Sequence, residues 1–279
     1  MHPNLVRTVF AIDLERQPHG ADLTTVFAMT QQHRPGDRVP GDERPGGQVR
    51  SIWRRPARSG RGPVPEHSTA EIAQAAVALA DADGLGAVTM RAVATAVGTG
   101  PASLYRYVNT RDELLELMAD QVLGQEFTAG RVSGDPMADL LVLGHQTLGI
   151  YRSHPWLLEI SPATGLPGPS ALGYMDYVLS ILTGTELGGP AKLELFALYN
   201  GMLRSFAQLE ADQQRAGQDI AAWQAQVASY LLEVVATGQY PNLAAAIASP
   251  PADGDPSPQE PAFDRVLTRV LSGLLHSSR

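Results

Sequence analysis

The sequence contains no cysteine. Disulfides, thiolate nucleophiles and cysteine-ligated metals are therefore excluded, and the composition fits a cytoplasmic protein. Lysine is nearly absent too: Lys192 is the only one, so positive charge is almost wholly arginine. No uncharged apolar run reaches about 18 residues, which argues against a transmembrane helix. Arg7, Asp13, Glu15 and Arg16 interrupt the first thirty residues, a pattern unlike a signal peptide. Catalytic signatures are missing as well. The seven histidines form no HxxxH or HExxH pair, and no GxSxG, phosphate-binding loop or dinucleotide fingerprint occurs. The expectation is a protein that is not an enzyme and needs neither cofactor nor metal.

What is present is enough apolar material for a core, 44% of 279 residues, in a chain long enough for two folded units. The net charge of −8 disfavours nucleic-acid binding, but the way it is distributed favours it. Residues 1–111 carry thirteen arginines against ten acids, a balance of +3, and the remainder carries −11. A basic front and an acidic back suit a chain in which one module meets phosphate.

Residues 1–47 are rich in Pro, Gly, Arg, Asp and Gln without a sustained period. They are expected to be a disordered leader, with a short ordered piece around Leu5–Leu14. A different choice of start codon would remove it. Residues 48–67 read as a basic arm. Arg54, Arg55 and Arg58 lie among prolines and glycines there, either as a solvated linker or as a strand of charge that touches DNA phosphates or the minor groove.

From Ser68 onward helical signals dominate. Ser68-Thr-Ala-Glu71 is a capping box, followed by Ile72, Ala76 and Leu79 at helical spacing and a stop at Asp83-Gly84. Thr89 caps a second helix, on which Met90, Val93, Ala94 and Val97 share one face. Gly98–Pro101 is a break in which Gly98 calls for a left-handed backbone. A short helix, Ala102–Val108, follows, and Thr110-Arg-Asp-Glu113 opens a longer one as a second capping box. Further helices are expected near 137–152, 156–160, 170–183, 191–214, 219–237 and 262–276, with Ser249–Pro261 a mobile loop. The fold class is all-α. A helix-turn-helix occupies residues 68–112, and a second helical domain occupies residues 113–279.

A helix-turn-helix needs a bracing helix with an apolar face, a tight turn and a short reading helix whose first residues reach base edges. Residues 89–108 meet all three requirements. The residues sharpen the outline: the stretch IAQAAVALADADGLGAVTMRAVATAVGTGPASLYRYVNTRDELLELM resembles the DNA-binding domain of the tetracycline-repressor (TetR) family. The resemblance covers about 55 residues, with Asp-Gly-Leu ending helix one, then Val-Thr-Met-Arg-Ala-Val-Ala, Ser-Leu-Tyr-Arg-Tyr-Val and Arg-Asp-Glu-Leu-Leu.

It implies a dimeric regulator, a repressor released from double-stranded operator DNA by a small hydrophobic or aromatic effector. By position, Thr89 and Arg91 stand near the phosphate backbone or a groove edge. Thr99, Gly100, Pro101, Ala102 and Ser103 form the tip of the reading helix. Tyr105, Arg106 and Tyr107 follow, and Arg111 meets a phosphate. Residues 99–102 lack the long polar side chains many members use there, which shifts base reading onto Arg91, Ser103, Arg106 and Tyr107 and gives DNA shape a larger share. Two alternatives stay open: one tyrosine of Tyr105 and Tyr107 belongs to the core, and Arg91 pairs with a carboxylate on a solvated face.

In the second half, His145, Tyr151, Trp156, Met175 and Tyr177 are candidates for an effector pocket. So are Phe196, Tyr199, Met202 and Phe206. Aromatics and methionines at helical spacing are more often ordinary core, and that reading stands beside the pocket. Leu193, Phe196, Ala197, Met202 and Leu203 form one stripe, and Phe263, Val266, Leu267, Val270, Leu271 and Leu274 another, and both are expected to face a second subunit in a four-helix bundle. A DNA-binding protein without small-molecule control and an all-helical enzyme are the rival readings.

Overall fold

A computed structural model of the protein describes residues 51–54, 66–160, 166–217, 220–249 and 261–275. All regular structure among these residues is helical. Ten α-helices follow a 3-10 turn at Ile52–Arg54: α1 (Thr69–Asp83), α2 (Met90–Ala96), α3 (Pro101–Leu104), α4 (Arg111–Glu126), α5 (Pro136–Ser153), α6 (Pro169–Ile181), α7 (Gly189–Arg215), α8 (Ile220–Ala236), α9 (Pro241–Ala248) and α10 (Ala262–Leu275). The chain divides into two compact units, whose described parts are residues 51–204 and 205–275.

The capping chemistry sets the helix starts. Ser68 Oγ accepts the Glu71 N–H at 3.1 Å, and the Glu71 carboxylate accepts the Ser68 N–H at 2.8 Å, so both early donors of α1 are satisfied. Thr110 caps α4 by accepting the Glu113 N–H at 3.1 Å. The reciprocal bond lands one residue earlier than the box predicts, from the Asn109 N–H to Glu113 at 2.7 Å. Asp135 accepts from Met137 and Ala138 ahead of Pro136, whose missing N–H is harmless at the first helical position.

The core of the first unit is built by Ile72 and Ala76 of α1, Val93 and Ala94 of α2, Leu104 of α3 and Leu114 and Met118 of α4, together with Val108 and Trp156. Packing therefore runs without a break past residue 112. Beyond it, Leu140 and Leu148 of α5, Val178 and Ile181 of α6, and Leu195 and Leu203 of α7 are all buried. In the second unit Phe263, Leu267 and Leu271 form a buried stripe at helical spacing on α10, with Phe263 edge-on to Phe206 at 5.2 Å.

Several expectations need correction. The segment at 156–160 is a 3-10 turn, Pro155–Glu159, too short and too extended at Ile160 for an α-helix. The reading helix is one α-turn rather than Ala102–Val108. Beyond Leu104 its bonds tighten to the i→i+3 type, Arg106 N–H to Ser103 and Tyr107 N–H to Leu104. No helix is expected from the sequence at 241–248, yet Pro241 initiates α9 there and the following alanines carry it. Phe263, Leu267 and Leu271 face the interior of their own chain, which leaves only Val266, Val270 and Leu274 of that stripe half-buried. The leader, Arg55, Arg58 and most of the Ser249–Pro261 loop lie outside the described residues.

Candidate nucleic-acid interface and ligand cluster

Helix α2 ends on a left-handed glycine, with Gly98 at φ +77°. The Gly98 N–H reaches the Thr95 carbonyl and the Thr99 N–H reaches that of Ala94, a paired closure that satisfies the last carbonyls and reverses the chain. Gly100 and Pro101 then start α3. Its anchor is Leu104, fully buried beneath α2. The placement of one buried leucine leaves the rest of the turn outward. Pro101, Ala102, Tyr105 and Arg106 are exposed, with Thr99 and Ser103 half-buried.

The two tyrosines separate. Tyr105 is 49% exposed. Tyr107 packs on the core, its hydroxyl accepts the His67 N–H at 3.4 Å, and its ring lies edge-on to His67. Tyr107 is thus the half-buried member of the pair and Tyr105 the exposed one. An Arg106 guanidinium nitrogen donates to Ser103 Oγ at 3.2 Å, which holds the side chain along the outer face of the turn. Thr89 caps α2 through the Ala92 N–H, and Arg91 stands exposed in the first turn. Arg111 donates to the Leu85 carbonyl at 3.2 Å while remaining exposed. From Thr89 to Thr110 there is no acidic residue. Exposed arginines at two helix starts, with a hydroxyl and a phenol between them, suit a polyanion.

The arm departs from its sequence reading at one end. Ser51 is buried and donates from Oγ to Glu116 at 2.6 Å, and Ile52 and Trp53 pack on the core. Of the arm's arginines, Arg54 lies among the described residues and is exposed. The apolar pair Ile52-Trp53 was the overlooked signal, because it lies within an otherwise basic, Gly/Pro-rich stretch.

Behind this surface the helices enclose an aromatic cluster. Phe127, just past α4, stands edge-on to Tyr174 at 5.2 Å and near Tyr177 at 5.5 Å, and Phe196 of α7 lies 6.0 Å from Tyr174. The Tyr174 hydroxyl donates to Asn200 Oδ1 at 2.9 Å, with Thr147 and Tyr151 nearby. Burial pushes the Tyr174 phenol far above its ordinary value, against the opposing hydrogen bonds, so it stays neutral.

Of the sequence candidates, Tyr151, Tyr177 and Phe196 join this cluster. Met175 and Met202 are half-buried on α6 and α7, and His145 is exposed on α5. Tyr199 is core, its hydroxyl spent on the Leu140 carbonyl at 2.8 Å. Trp156 sits in the core below, where its indole N–H donates to Asp81 at 2.6 Å. Phe206 belongs to the second unit, against Phe263. Sequence reasoning missed Phe127, Thr147, Tyr174 and Asn200. An amide in the apolar run of α7 was the available clue to Asn200.

A groove of about 380 Å³ between α1 and α2, lined by His67, Glu71, Gln74 and Val97 among others, is separate from these residues. Among the described residues no helix is long and apolar enough to cross a membrane.

Comparison with known proteins agrees with this geometry. Residues 72–118 match the profile of bacterial regulatory proteins of the tetR family, and residues 132–277 match that of the tetracyclin repressor-like C-terminal domain. The chain is 35% identical to the HTH-type transcriptional repressor DrrR1 of Streptomyces coeruleorubidus over 229 residues, 80% of this chain and 83% of that one. It is 27% identical to an HTH-type transcriptional regulator of Saccharopolyspora erythraea, over 80% of this chain and 91% of that one. Among solved structures it resembles apo ActR of Streptomyces coelicolor, with a TM-score of 0.60 and 26% identity over 77% of this chain and 97% of that one. It also resembles ActR in complex with actinorhodin, with a TM-score of 0.62 and 26% identity over 76% of this chain and 97% of that one. The chain belongs to the tetracycline-repressor family of DNA-binding transcriptional regulators.

Proposed function

We propose that the protein is a cytoplasmic homodimeric repressor whose operator is read by α3 and released by an aromatic effector bound among Phe127, Tyr174, Tyr177, Phe196 and Asn200. The observation that carries this reading is the pairing of an outward, acid-free reading turn with a half-buried aromatic cluster around the buried Tyr174, which has a polar handle in the Tyr174–Asn200 bond. ActR, of the same fold, has been solved with actinorhodin and with (S)-DNPA, which supports an aromatic effector here. In domain terms, residues 48–67 are the arm, 68–112 the DNA-binding domain and 113–279 the effector-binding and dimerisation domain. The protein is a regulator without catalytic function.

On the DNA, Arg91, Ser103, Tyr105 and Arg106 reach base edges or flanking phosphates. Thr89, Arg111 and the backbone of Thr99–Ala102 hold the phosphate chain, and Tyr107 supports the turn. Arg54, Arg55 and Arg58 add non-specific charge. Exposed apolar residues of the second unit, Leu209, Tyr230 and Leu232, supply the subunit contact in place of the buried face of α10. A two-fold assembly sets two reading turns about 34–36 Å apart, one turn of DNA.

Effector binding favours an arrangement in which α4, whose start adjoins the reading turn, tilts the readers off operator spacing. Linkage supplies the test. Actinorhodin is titrated against the protein alone and against its complex with a duplex selected from a random-sequence library. The reading requires weaker binding to the complex and release of DNA. Equal affinity for both forms rejects effector control by this compound, and selection of no duplex rejects the reading helix.

A further inference from the structure

The C-terminal end of α5 carries His154, 8% exposed, with both ring nitrogens on carboxylates. Nδ1 lies 2.7 Å from Asp81 of α1, and Nε2 lies 2.6 Å from Glu126 at the end of α4. The same Asp81 oxygen accepts the indole N–H of Trp156, two residues further along. Trp156 lies in the 3-10 turn Pro155–Glu159, and this turn is gripped from α7: the Arg204 guanidinium donates to the carbonyls of Leu157, Leu158 and Ile160. Phe196, Asn200 and Arg204 recur every fourth residue, so one stripe of α7 carries the aromatic cluster at one end and the turn at the other. Three elements, α1, α4 and the 3-10 turn, thus meet the imidazole at the end of α5, and only one of them, α1, lies wholly within the DNA-reading half.

We propose that His154 is the positioning residue that fixes the DNA-reading helices against α5 and α7, holding α1 through Asp81 and the end of α4 through Glu126. This is a second line of connection to the reader, apart from the start of α4, and it operates without any effector.

Two N–H donors for two carboxylates require the imidazolium form. Burial opposes that charge. The hydrogen bond to Glu126, then that to Asp81, overcomes the burial penalty and raises the His154 pKa above 6.5. The contribution of the joint is therefore complete below the ordinary value and is lost as pH rises through the raised one. Once the proton leaves, one carboxylate loses its donor and the joint slackens. The groups facing the ring are Asp81 from α1, Glu126 from α4 and the Trp156 indole, and Arg204 of α7 acts on the turn behind them. His67 also stands beside the reader, so the comparison of variants carries the test.

The experiment measures affinity of the full-length protein for a library-selected duplex by fluorescence anisotropy from about pH 6 to about pH 9.5, with thermal melts in parallel. Wild type loses about tenfold in affinity as pH climbs past the His154 titration. His154→Gln is weak and flat throughout. Asp81→Asn moves the midpoint to lower pH, because one of the two anions that retain the proton is gone, and this variant decides the matter if His154→Gln does not fold. Arg204→Gln shifts the Trp156 indole N–H resonance. A His154→Gln curve that overlies wild type, or an Asp81→Asn midpoint that stays in place, overturns the proposal, and an unmoved indole resonance removes α7 from it.

Discussion

The reading turn and the aromatic cluster occupy the same unit yet are built on opposite rules. At the turn a single buried residue, Leu104, holds the backbone while the chemistry points outward through Tyr105 and Arg106. In the cluster three half-buried rings surround the buried Tyr174, whose hydroxyl donates to Asn200 while the Asn200 amide donates in turn to the Phe196 carbonyl. A surface that reads a polymer already surrounded by water can leave its polar groups solvated. Polar groups inside a protein have to be kept partnered, because an unpaired buried group is expensive. The contrast predicts that substitutions at the turn change binding and leave stability intact, whereas substitutions in the cluster change both.

The strongest way to break that contrast is at the one place where the turn depends on the core. Leu104→Ala removes a fully buried side chain and should destabilise the protein by about 2–5 kcal/mol in denaturant unfolding, with DNA binding lost because α3 no longer seats on α2. Smaller is the effect of Asn200→Leu, which strands the Tyr174 hydroxyl: about 1–3 kcal/mol, with altered response to actinorhodin but operator affinity preserved below the unfolding range. Ser68→Ala breaks the capping box of α1 and should lower stability by about 1 kcal/mol, read as a shift in melting temperature. Least of all, Tyr105→Ala should change stability by no more than about 0.5 kcal/mol while weakening operator binding. A Tyr105 variant as unstable as the Leu104 one would erase the distinction between the two regions.

The two regions also differ in how much the sequence discloses. The helix-turn-helix as a whole is legible because its requirements are local: a capping serine with glutamate three residues on at the start of α1, a glycine where the backbone turns left-handed, and an apolar face repeating every three or four residues. Even there the length of α3 is not legible, since i→i+3 and i→i+4 closures differ by packing rather than by composition.

The cluster is only half visible. Tyr177 and Phe196 announce themselves as aromatics, but Tyr174 and Asn200 acquire meaning only when α6 and α7 are set side by side. Trp156 misleads for the same reason: its neighbour is Asp81, 75 residues earlier in the chain, and no periodicity encodes that. The arm shows a third case. Its arginines advertise a partner for DNA, while the buried Ser51–Glu116 bond depends on a residue 65 positions away.

The central claim is that the exposed turn reads bases. It is tested by measuring the affinity of wild type and Arg106→Ala for a panel of duplexes in which each position of the selected operator is changed in turn. The account predicts a loss of about 1–3 kcal/mol on the parent duplex, with discrimination relaxed at one position in each half-site and retained elsewhere. Equal weakening across the whole panel, or an unchanged affinity, would contradict it.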